Sequence, residues 1–580
     1  MNEAVNSKLS YAIKFIITSI VIGLILGMVG ASAAHYFRVG IIFISSGFSQ
    51  VISNSYGFFY YLVTLSVAVF IVHQVKKMNS GKPFQGIADS IFYAHRPDNE
   101  ADIKSGILST LAAFISAGGG ASVGQYGPLV HFGATIGSWL KEKLPFKLSL
   151  DLYIGGGVAA AISSGFGAPI AGMVFAHEAI MRHYSHKAVL SIAIASCVAF
   201  GLSTTLWGES LVFPISKVEF DFVTILYVSF IAGPLFGVVA IIFMNTLIFF
   251  NKLSVKFFPN VFLKYAIAIV VLSAIGHFVP EVMGLGTGTV LDAVSGEFVL
   301  YFAIIILLGK IIATSISLGF GFFGGVFSPA ILVGASAGAV IAQLFVVIGV
   351  LEKFEPALVI SGMAAVTGAV IGAPICMVVI VIELTSSYTY ALASLVGLTL
   401  SMSLSHILFG SSYFDKQLAT RGIDISTGRS GMFLMEKRAS DYATSDYVEL
   451  YCHDLVKDAS RIMSEQNKNE VIVLDADGNF YGKIELHSLI GMSANNKIEK
   501  FADKNCVTIK HDASLQQAME AAANFVGEAI PIINRDTNRV VSVITEGAIF
   551  EAYLNVQDLS LIHISEPTRP RLISYAVFCL

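Results

Sequence analysis

The stretch Gly118-Gly119-Gly120-Ala121-Ser122-Val123-Gly124-Gln125-Tyr126-Gly127-Pro128-Leu129-Val130-His131-Phe132-Gly133 decides how this chain is read. A glycine-rich loop runs into a proline in the first turn of an apolar helix, where a missing N–H costs nothing because the first N–H groups of a helix have no partner. Such a loop delivers free backbone amides to a helix start. The partial positive charge there holds a small anion without any Lys or Arg.

The pattern returns 201 residues later. Gly321-Phe322-Phe323-Gly324-Gly325-Val326-Phe327-Ser328-Pro329 superposes on Gly120 to Pro128, with Gly325 on Gly124, Phe327 on Tyr126 and Pro329 on Pro128. Gly167-Ala168-Pro169-Ile170 and Glu178 recur as Gly372-Ala373-Pro374-Ile375 and Glu383. Two halves that share interrupted apolar helices are the mark of a transporter or channel whose repeats meet at the bilayer midplane. The expected binding site lies between the halves, at the helix-end loops carrying Gly124, Gly127, Pro128, Gly325 and Pro329.

Composition places these loops inside a membrane. Hydrophobic residues make up 55% of the 580 and charged residues 13%, with a mean hydropathy of +0.74. A water-soluble chain of that composition would expose large apolar patches. The net charge of -4 gives no sign of nucleic-acid binding. Five cysteines, Cys197, Cys376, Cys452, Cys506 and Cys579, show neither metal-ligand spacing nor pairing and are read as free thiols, with no metal site expected.

Leu9 to Tyr36 reads as an uncleaved first membrane helix and Phe58 to Val75 as the next span. Lys8, Lys14, Lys76 and Lys77 then put the N-terminus and the end of the second span on the cytoplasmic side. Ile87 to Tyr93, Ile107 to Ser116, Val130 to Leu140 and Ile154 to Ser163 are all shorter than the roughly 20 residues of a simple crossing. Broken helices at membrane depth are tolerated when their ends are buried in protein or line a polar path. Longer apolar stretches follow at Phe222 to Phe250, Phe298 to Leu318 and Pro329 to Gly349, then Ala357 to Ile371, Leu392 to Phe409 and a last segment near Ser412. Gly319 to Gly324 matches a dinucleotide fingerprint in letters only, since it follows a membrane helix and not a strand.

Gly124 to Pro128, Gly324 to Pro329, Leu308-Gly309-Lys310 and Tyr413 together resemble the motifs of the CLC family of chloride channels and proton-coupled chloride antiporters, over roughly Tyr11 to Arg421. The resemblance implies an all-α polytopic membrane protein with inverted-topology repeats and broken helices. It further implies a homodimer in the lipid bilayer, with one pathway per subunit for chloride or another small anion. Asn79-Ser80-Gly81-Lys82-Pro83 is similar to the family's Gly-Ser-Gly-Ile-Pro, so Ser80 stands where a serine hydroxyl donates to chloride, or is simply a helix N-cap. Tyr413 resembles the tyrosine that donates its phenol from the other side, and Val326 and Phe327 would offer backbone N–H groups. Neutral donors hold an anion without trapping it.

Departures from the family bear on mechanism. Where the family carries a gating glutamate, this chain has Gly124-Gln125-Tyr126-Gly127-Pro128. A phenol with an ordinary pKa near 10 is a poor proton carrier at neutral pH, so Tyr126 is expected to act as the external gate. Glu178 stands for the first of two adjacent glutamates and Ala179 takes the place of the inner proton acceptor. Passive anion conduction is therefore expected, the alternative being a proton-coupled chloride antiporter with a substitute carrier such as His177. His131 reads as structural, and Glu178 and Glu383 as caps or partners at helix ends. No nucleophile, base or metal cluster marks the membrane part as an enzyme.

Residues 1–425 thus form the membrane domain, and charged residues reach ordinary density beyond it. Strands Val471 to Leu474 and Ala529 to Ile533, each after an amphipathic helix (Val456 to Gln466, Leu515 to Phe525), resemble a tandem pair of CBS modules at 436–500 and 501–557, a soluble α/β unit. The ribose-binding Asp expected of a nucleotide site is Ser488 in one module and Ala548 in the other, and only Thr545 keeps its hydroxyl, so no adenine nucleotide is expected as a cofactor. Residues 558–580 resemble translated adapter sequence and are excluded from fold reasoning. The resemblance implies a multi-pass protein of the bacterial inner (plasma) membrane with its CBS pair in the cytoplasm.

Overall fold

The structure is a computed structural model and describes residues 2–51, 57–96, 101–146, 148–208, 222–347, 349, 355–425, 431, 434–435, 437–523, 525 and 527–554. The chain divides into two compact units, one ending at Ile423 and the other beginning at Asp424. The excluded tail at 558–580 lies outside the described residues.

The first unit is helical and built twice. Its first half runs α1 (Asn2–Val51), α2 (Phe58–Met78), α3 (Ile87–His95), α4 (Ile103–Gly118), α5 (Tyr126–Lys143), α6 (Leu150–Phe166), α7 (Pro169–Phe175), a π-helical stretch Ala176–Met181, and α8 (His186–Trp207). Its second half runs in the same order: α9 (Phe222–Phe257), α10 (Val261–Phe278), α11 (Thr287–Val294), α12 (Leu300–Gly319), α13 (Phe327–Val347), α14 (Glu355–Ile371), α15 (Pro374–Thr385) and α16 (Tyr388–Leu408), and α17 (Tyr413–Ala419) closes the unit. α1 packs on α8 as α9 packs on α16, and α5 on α6 as α13 on α14. Among the described residues eight helices are long and apolar enough to cross a membrane.

The first helix departs from expectation. No proline follows Tyr36 before the helix ends, and helical hydrogen bonding continues through Val51 for 50 residues, about 75 Å at 1.5 Å per residue, well beyond the roughly 30 Å of a bilayer core. Short helices are present as expected. α3 has 9 residues, and α7 and α17 have 7 each; both ends of α3 and the first residue of α17 are buried.

Glycine pairs set the closest helix crossings in both halves. A Cβ on Gly133 would stand 2.3 Å from the Gly157 carbonyl oxygen, and a Cβ on Gly334 2.3 Å from that of Gly362. No side chain fits between α5 and α6 or between α13 and α14 there, which is the small-residue packing that lipid-embedded helices use.

The second unit holds two copies of one motif. β1 (Glu449–Tyr451), α18 (Val456–Glu465), β2 (Glu470–Leu474) and β3 (Phe480–Glu485) are followed by β4 (Ile509–Lys510), α19 (Leu515–Ala522), β5 (Ala529–Ile533) and β6 (Val540–Thr545). Each sheet pairs its first two strands parallel and its last two antiparallel, with a register shift one residue before the end of the middle strand. A buried ion pair joins the copies. Lys483 Nζ lies 3.0 Å from Glu470 and over the Phe525 ring, while the Glu470 carboxylate accepts the N–H groups of Glu528 and Ala529.

Candidate functional site

The two glycine loops bond to each other. The Gly124 N–H donates to the Gly325 carbonyl at 2.7 Å, and the Gly325 N–H donates to the Gly124 carbonyl at 2.9 Å. A Cβ on Gly124 would stand 2.8 Å from the Gly325 oxygen and from Pro329 Cδ, and one on Gly325 would stand 2.9 Å from Pro128 Cδ and 3.0 Å from Gly127 Cα. Only bare Cα atoms let the strands touch. Further bonds tie the halves around this crossing, Ser122 to Val282, Gly284 to Gly120, Phe323 to Ser116 and Gln125 to Ser328.

From the crossing, α5 and α13 start within two residues, with Pro128 and Pro329 each third in its helix. Among the described residues no acceptor is recorded for the N–H of Val326 or Phe327. Buried N–H groups are rarely left without a partner, so this helix start has the donors an anion needs. Val326 is 4% exposed and Phe327 fully buried.

Four aromatic rings close over the crossing. Tyr126, 4% exposed, stacks on Phe166 with centroids 3.9 Å apart and meets Phe327 edge-on at 5.6 Å. Phe166 and Phe175 also contact Phe327, at 5.2 Å and 6.0 Å. Tyr126 and Phe327, which the repeat superposes on each other, are thus in ring contact. Phe166 and Phe175 were not legible as site residues, because they come from the ends of α6 and α7 and only the tertiary fold brings them in.

Tyr413 is buried as the first residue of α17, which packs on α3 and α14. Ser412 and Asp415 form the capping box that starts this helix, and Asp415 pairs with Arg182 just after the π-helical stretch. Arg421, beyond the other end of α17, pairs with Asp89 of α3. Both ends of the short helix are thereby pinned.

Ser80 is not brought to a helix start. It follows α2 in the left-handed region, φ 54°, is exposed, and donates its N–H to Lys77. α3 begins only at Ile87, where the Gly86 N–H bonds to Asp89. The expectation failed because the Ser-Gly pair ends one helix and does not open the next. The polar side chain that stands before the α3 start is Gln85, which donates its amide to Tyr93 and leaves its oxygen without a recorded partner among the described residues.

Glu178 and Glu383 are reciprocal caps. Glu178 accepts the N–H groups of Ile375 and Cys376 at the start of α15, at 2.9 Å and 2.7 Å. Glu383 accepts those of Ile170 and Ala171 at the start of α7, both at 2.8 Å. Ala179 is buried in the π-helical stretch, and π-helical turns often mark functional sites. His177 on the same stretch donates Nδ1–H to Met173 at 2.9 Å and stacks on Tyr184, and Nε2 has no recorded partner among the described residues. His131 Nδ1 bonds the Ser90 hydroxyl of α3 at 2.8 Å. Lys310 is fully buried, with Nζ donating to the Val282 and Gly284 carbonyls.

Two halves of broken helices, joined through their glycine loops, define a polytopic membrane transporter of the inverted-repeat kind. Residues 63–406 match the family model described as voltage gated chloride channel, and the chain belongs to that family, the CLC proteins. Residues 498–555 match the CBS domain. A relative named H(+)/Cl(-) exchange transporter ClcA, from Vibrio parahaemolyticus, is 23% identical over 440 residues, 72% of this chain and 92% of the relative. Among solved structures, a slow cyanobacterial Cl-/H+ antiporter superposes with a TM-score of 0.61 at 21% identity, over 70% of this chain and 97% of that one. A eukaryotic CLC transporter superposes with a TM-score of 0.62 at 16% identity, over 93% and 98%. The structural likeness concerns the fold.

In the soluble unit, the Thr545 hydroxyl accepts the Ala548 N–H and the Ser488 hydroxyl donates to the Glu485 carbonyl.

Proposed function

We propose that this chain carries chloride or a similar small anion past the crossing of Gly124 and Gly325. The anion is held by the Val326 and Phe327 N–H groups and the Tyr413 phenol and is constricted on the outer side by Tyr126. Two unclaimed N–H groups at the start of a membrane helix, beside a capping of that crossing by neutral rings, carry this reading.

Two modes of transport divide the support. The relatives named as proton/chloride exchangers, and the antiporter among the solved structures, favour coupled exchange over passive conduction. The residues of this chain favour passive conduction: Tyr126 offers no carboxylate, Ala179 offers none at the inner position, and both carboxylates of Glu178 and Glu383 are engaged by backbone N–H groups. We take the passive mode as the reading of the site itself and exchange through a substitute carrier such as His177 as the second. Chloride flux and internal pH recorded together in liposomes decide between them. Flux without proton movement supports the first, and proton uptake against its gradient at a fixed ratio to chloride supports the second.

The functional unit in this reading is a homodimer with a pathway in each subunit, in the inner (plasma) membrane of a bacterium, with the CBS pair cytoplasmic. The pair is structural or dimerising and binds no adenine nucleotide, since Ser488 and Ala548 replace the ribose-binding Asp and the Thr545 hydroxyl already accepts a backbone N–H. Calorimetric titration of ATP or AMP into the purified full chain tests this, micromolar affinity being the contrary result.

A further inference from the structure

Gly165 sits in the last turn of α6 with no positive φ to explain a glycine there. A helix-interior glycine without a conformational reason costs stability relative to alanine, so its bare Cα calls for a packing reason. That reason is a single neighbour. A Cβ built on Gly165 would lie 3.3 Å from both Cδ1 and Cε1 of Tyr126, and no other neighbouring atom comes within 4 Å. The next residue, Phe166, stacks its ring on the same phenol at 3.9 Å and 25°, closer than the 4.5–7 Å common for aromatic pairs. Gly167 then ends the helix in the left-handed region, φ 65°.

We infer that Gly165 and Phe166 form the seat that holds the Tyr126 ring in its rest position, which makes Gly165 a positioning residue for anion passage. This rests on the reading of Tyr126 as the constriction. The backbone under the ring has no room to yield: a Cβ on Gly127 would stand 2.9 Å from Gly325 Cα, and the Gly124–Gly325 bonds anchor the preceding turn. A methyl at Gly165 therefore displaces the ring and leaves the chain in place. The other recorded ring partners of Tyr126 are Phe166 and Phe327, so a methyl at Gly165 tightens the packing of this ring cluster around the constriction. An overpacking strain of this kind is worth about a fivefold change in flux, the equivalent of ~1 kcal/mol.

The test is a mutant cycle on the full chain in chloride-loaded liposomes, with monodispersity checked for each variant. Gly165→Ala lowers chloride flux about fivefold in the wild-type background and has no effect on top of Tyr126→Ala, because the added methyl touches only that ring. Phe166→Leu, which keeps the bare Cα of Gly165 but removes the stack on the phenol, raises flux in the wild-type background. An equal loss from Gly165→Ala in both backgrounds, or no loss in the wild type, overturns the inference. Should Tyr126→Ala alone leave flux unchanged, the constriction reading fails with it; should Tyr126→Ala raise flux while the cycle shows no coupling, only the seat fails.

Discussion

Removing one of the reciprocal glutamates separates a structural cap from a proton carrier. Glu383→Ala strips two acceptors from the start of α7, and Glu178→Ala strips two from the start of α15, at distances of 2.7–2.9 Å. A hydrogen bond to a charged acceptor contributes about 1.5–3 kcal/mol, so two lost bonds cost roughly 3–6 kcal/mol. Ile170 is 56% exposed and Ile375 53%, so part of the loss is recovered by other partners and the lower end, about 3 kcal/mol, is expected. The carboxylates also face the positive ends of their helices, which adds to the cost of removing them.

The two alanine variants should lower the thermal midpoint of the detergent-purified full chain by similar amounts, since the two caps are geometrically equivalent. Glu178→Gln keeps one acceptor oxygen and should lose about half as much. Chloride flux per folded molecule should keep its wild-type dependence on pH in all three. If Glu178→Gln left the midpoint unchanged while flattening the pH response or abolishing proton movement, Glu178 would be a carrier, and the argument for an uncoupled site would fall.

Tyr126→Ala should raise anion flux, and Tyr126→Glu should give a steeper pH dependence without proton coupling, because Ala179 still lacks a carboxyl; both are read in liposomes by chloride efflux with a pH dye inside. Gly325→Ala should abolish monodisperse protein on size exclusion, since the added atom meets Gly127 Cα and Pro128 Cδ at 2.9–3.0 Å and the loops cannot part without losing both bridging bonds. In the soluble unit, Glu470→Ala leaves Lys483 buried without its carboxylate and should cost about 3–5 kcal/mol, seen as faster proteolysis of the C-terminal region in the full chain, while Glu470→Ala with Lys483→Met should be milder. Asp102 caps α4; partial burial pushes its carboxyl up, but the Lys82 ammonium and the Ser105 N–H and hydroxyl outweigh this and hold it down to about 2. Its folded value lies below its unfolded one, so the stabilisation is present above the ordinary 3.8 and is lost as pH falls through about 2. Asp102→Asn should lower the thermal midpoint at pH 6 and lower it much less near pH 2.

What the sequence made legible was whatever the repeat carried twice. The glycine loops, the paired prolines, and Glu178 with Glu383 all recur, and the structure uses each pair in the same backbone role. Features that occur once were harder. Ser80 was placed by Ser-Gly and Pro83, although the first Gly and the Ile of the motif are Asn79 and Lys82. The signal that starts α3 is instead Gly86 with Asp89, a helix N-terminus pattern lying within the same few residues. Bilayer thickness limits hydrophobic length but does not stop a helix, and α1 runs past Tyr36 to Val51. The π-helical stretch at Ala176–Met181 leaves no trace in periodicity, and the partners of Tyr126 depend on where α6 and α7 end in space.

The repeat also shows where the halves had to diverge. At the glycine crossings the two-fold relation holds: Gly124 and Gly325 exchange both bonds, and the crossing pairs Gly133–Gly157 and Gly334–Gly362 leave the same absence of room. Side chains obey it only where no ring must move. Gly165 and Phe166 correspond, at the spacing that relates Gly167 to Gly372, to Val370 and Ile371, both fully or nearly fully buried. The second half therefore has no bare Cα at the matching position, and Phe327 is instead enclosed by Tyr126, Phe166 and Phe175, all from the first half. A symmetric scaffold thus carries one ring with a seat and one ring packed as core. In the proposed pathway that asymmetry puts the constriction on one half and the donor on the other, and it is the reason a substitution at Gly165 should act on transport while the larger residue already at Val370 does not.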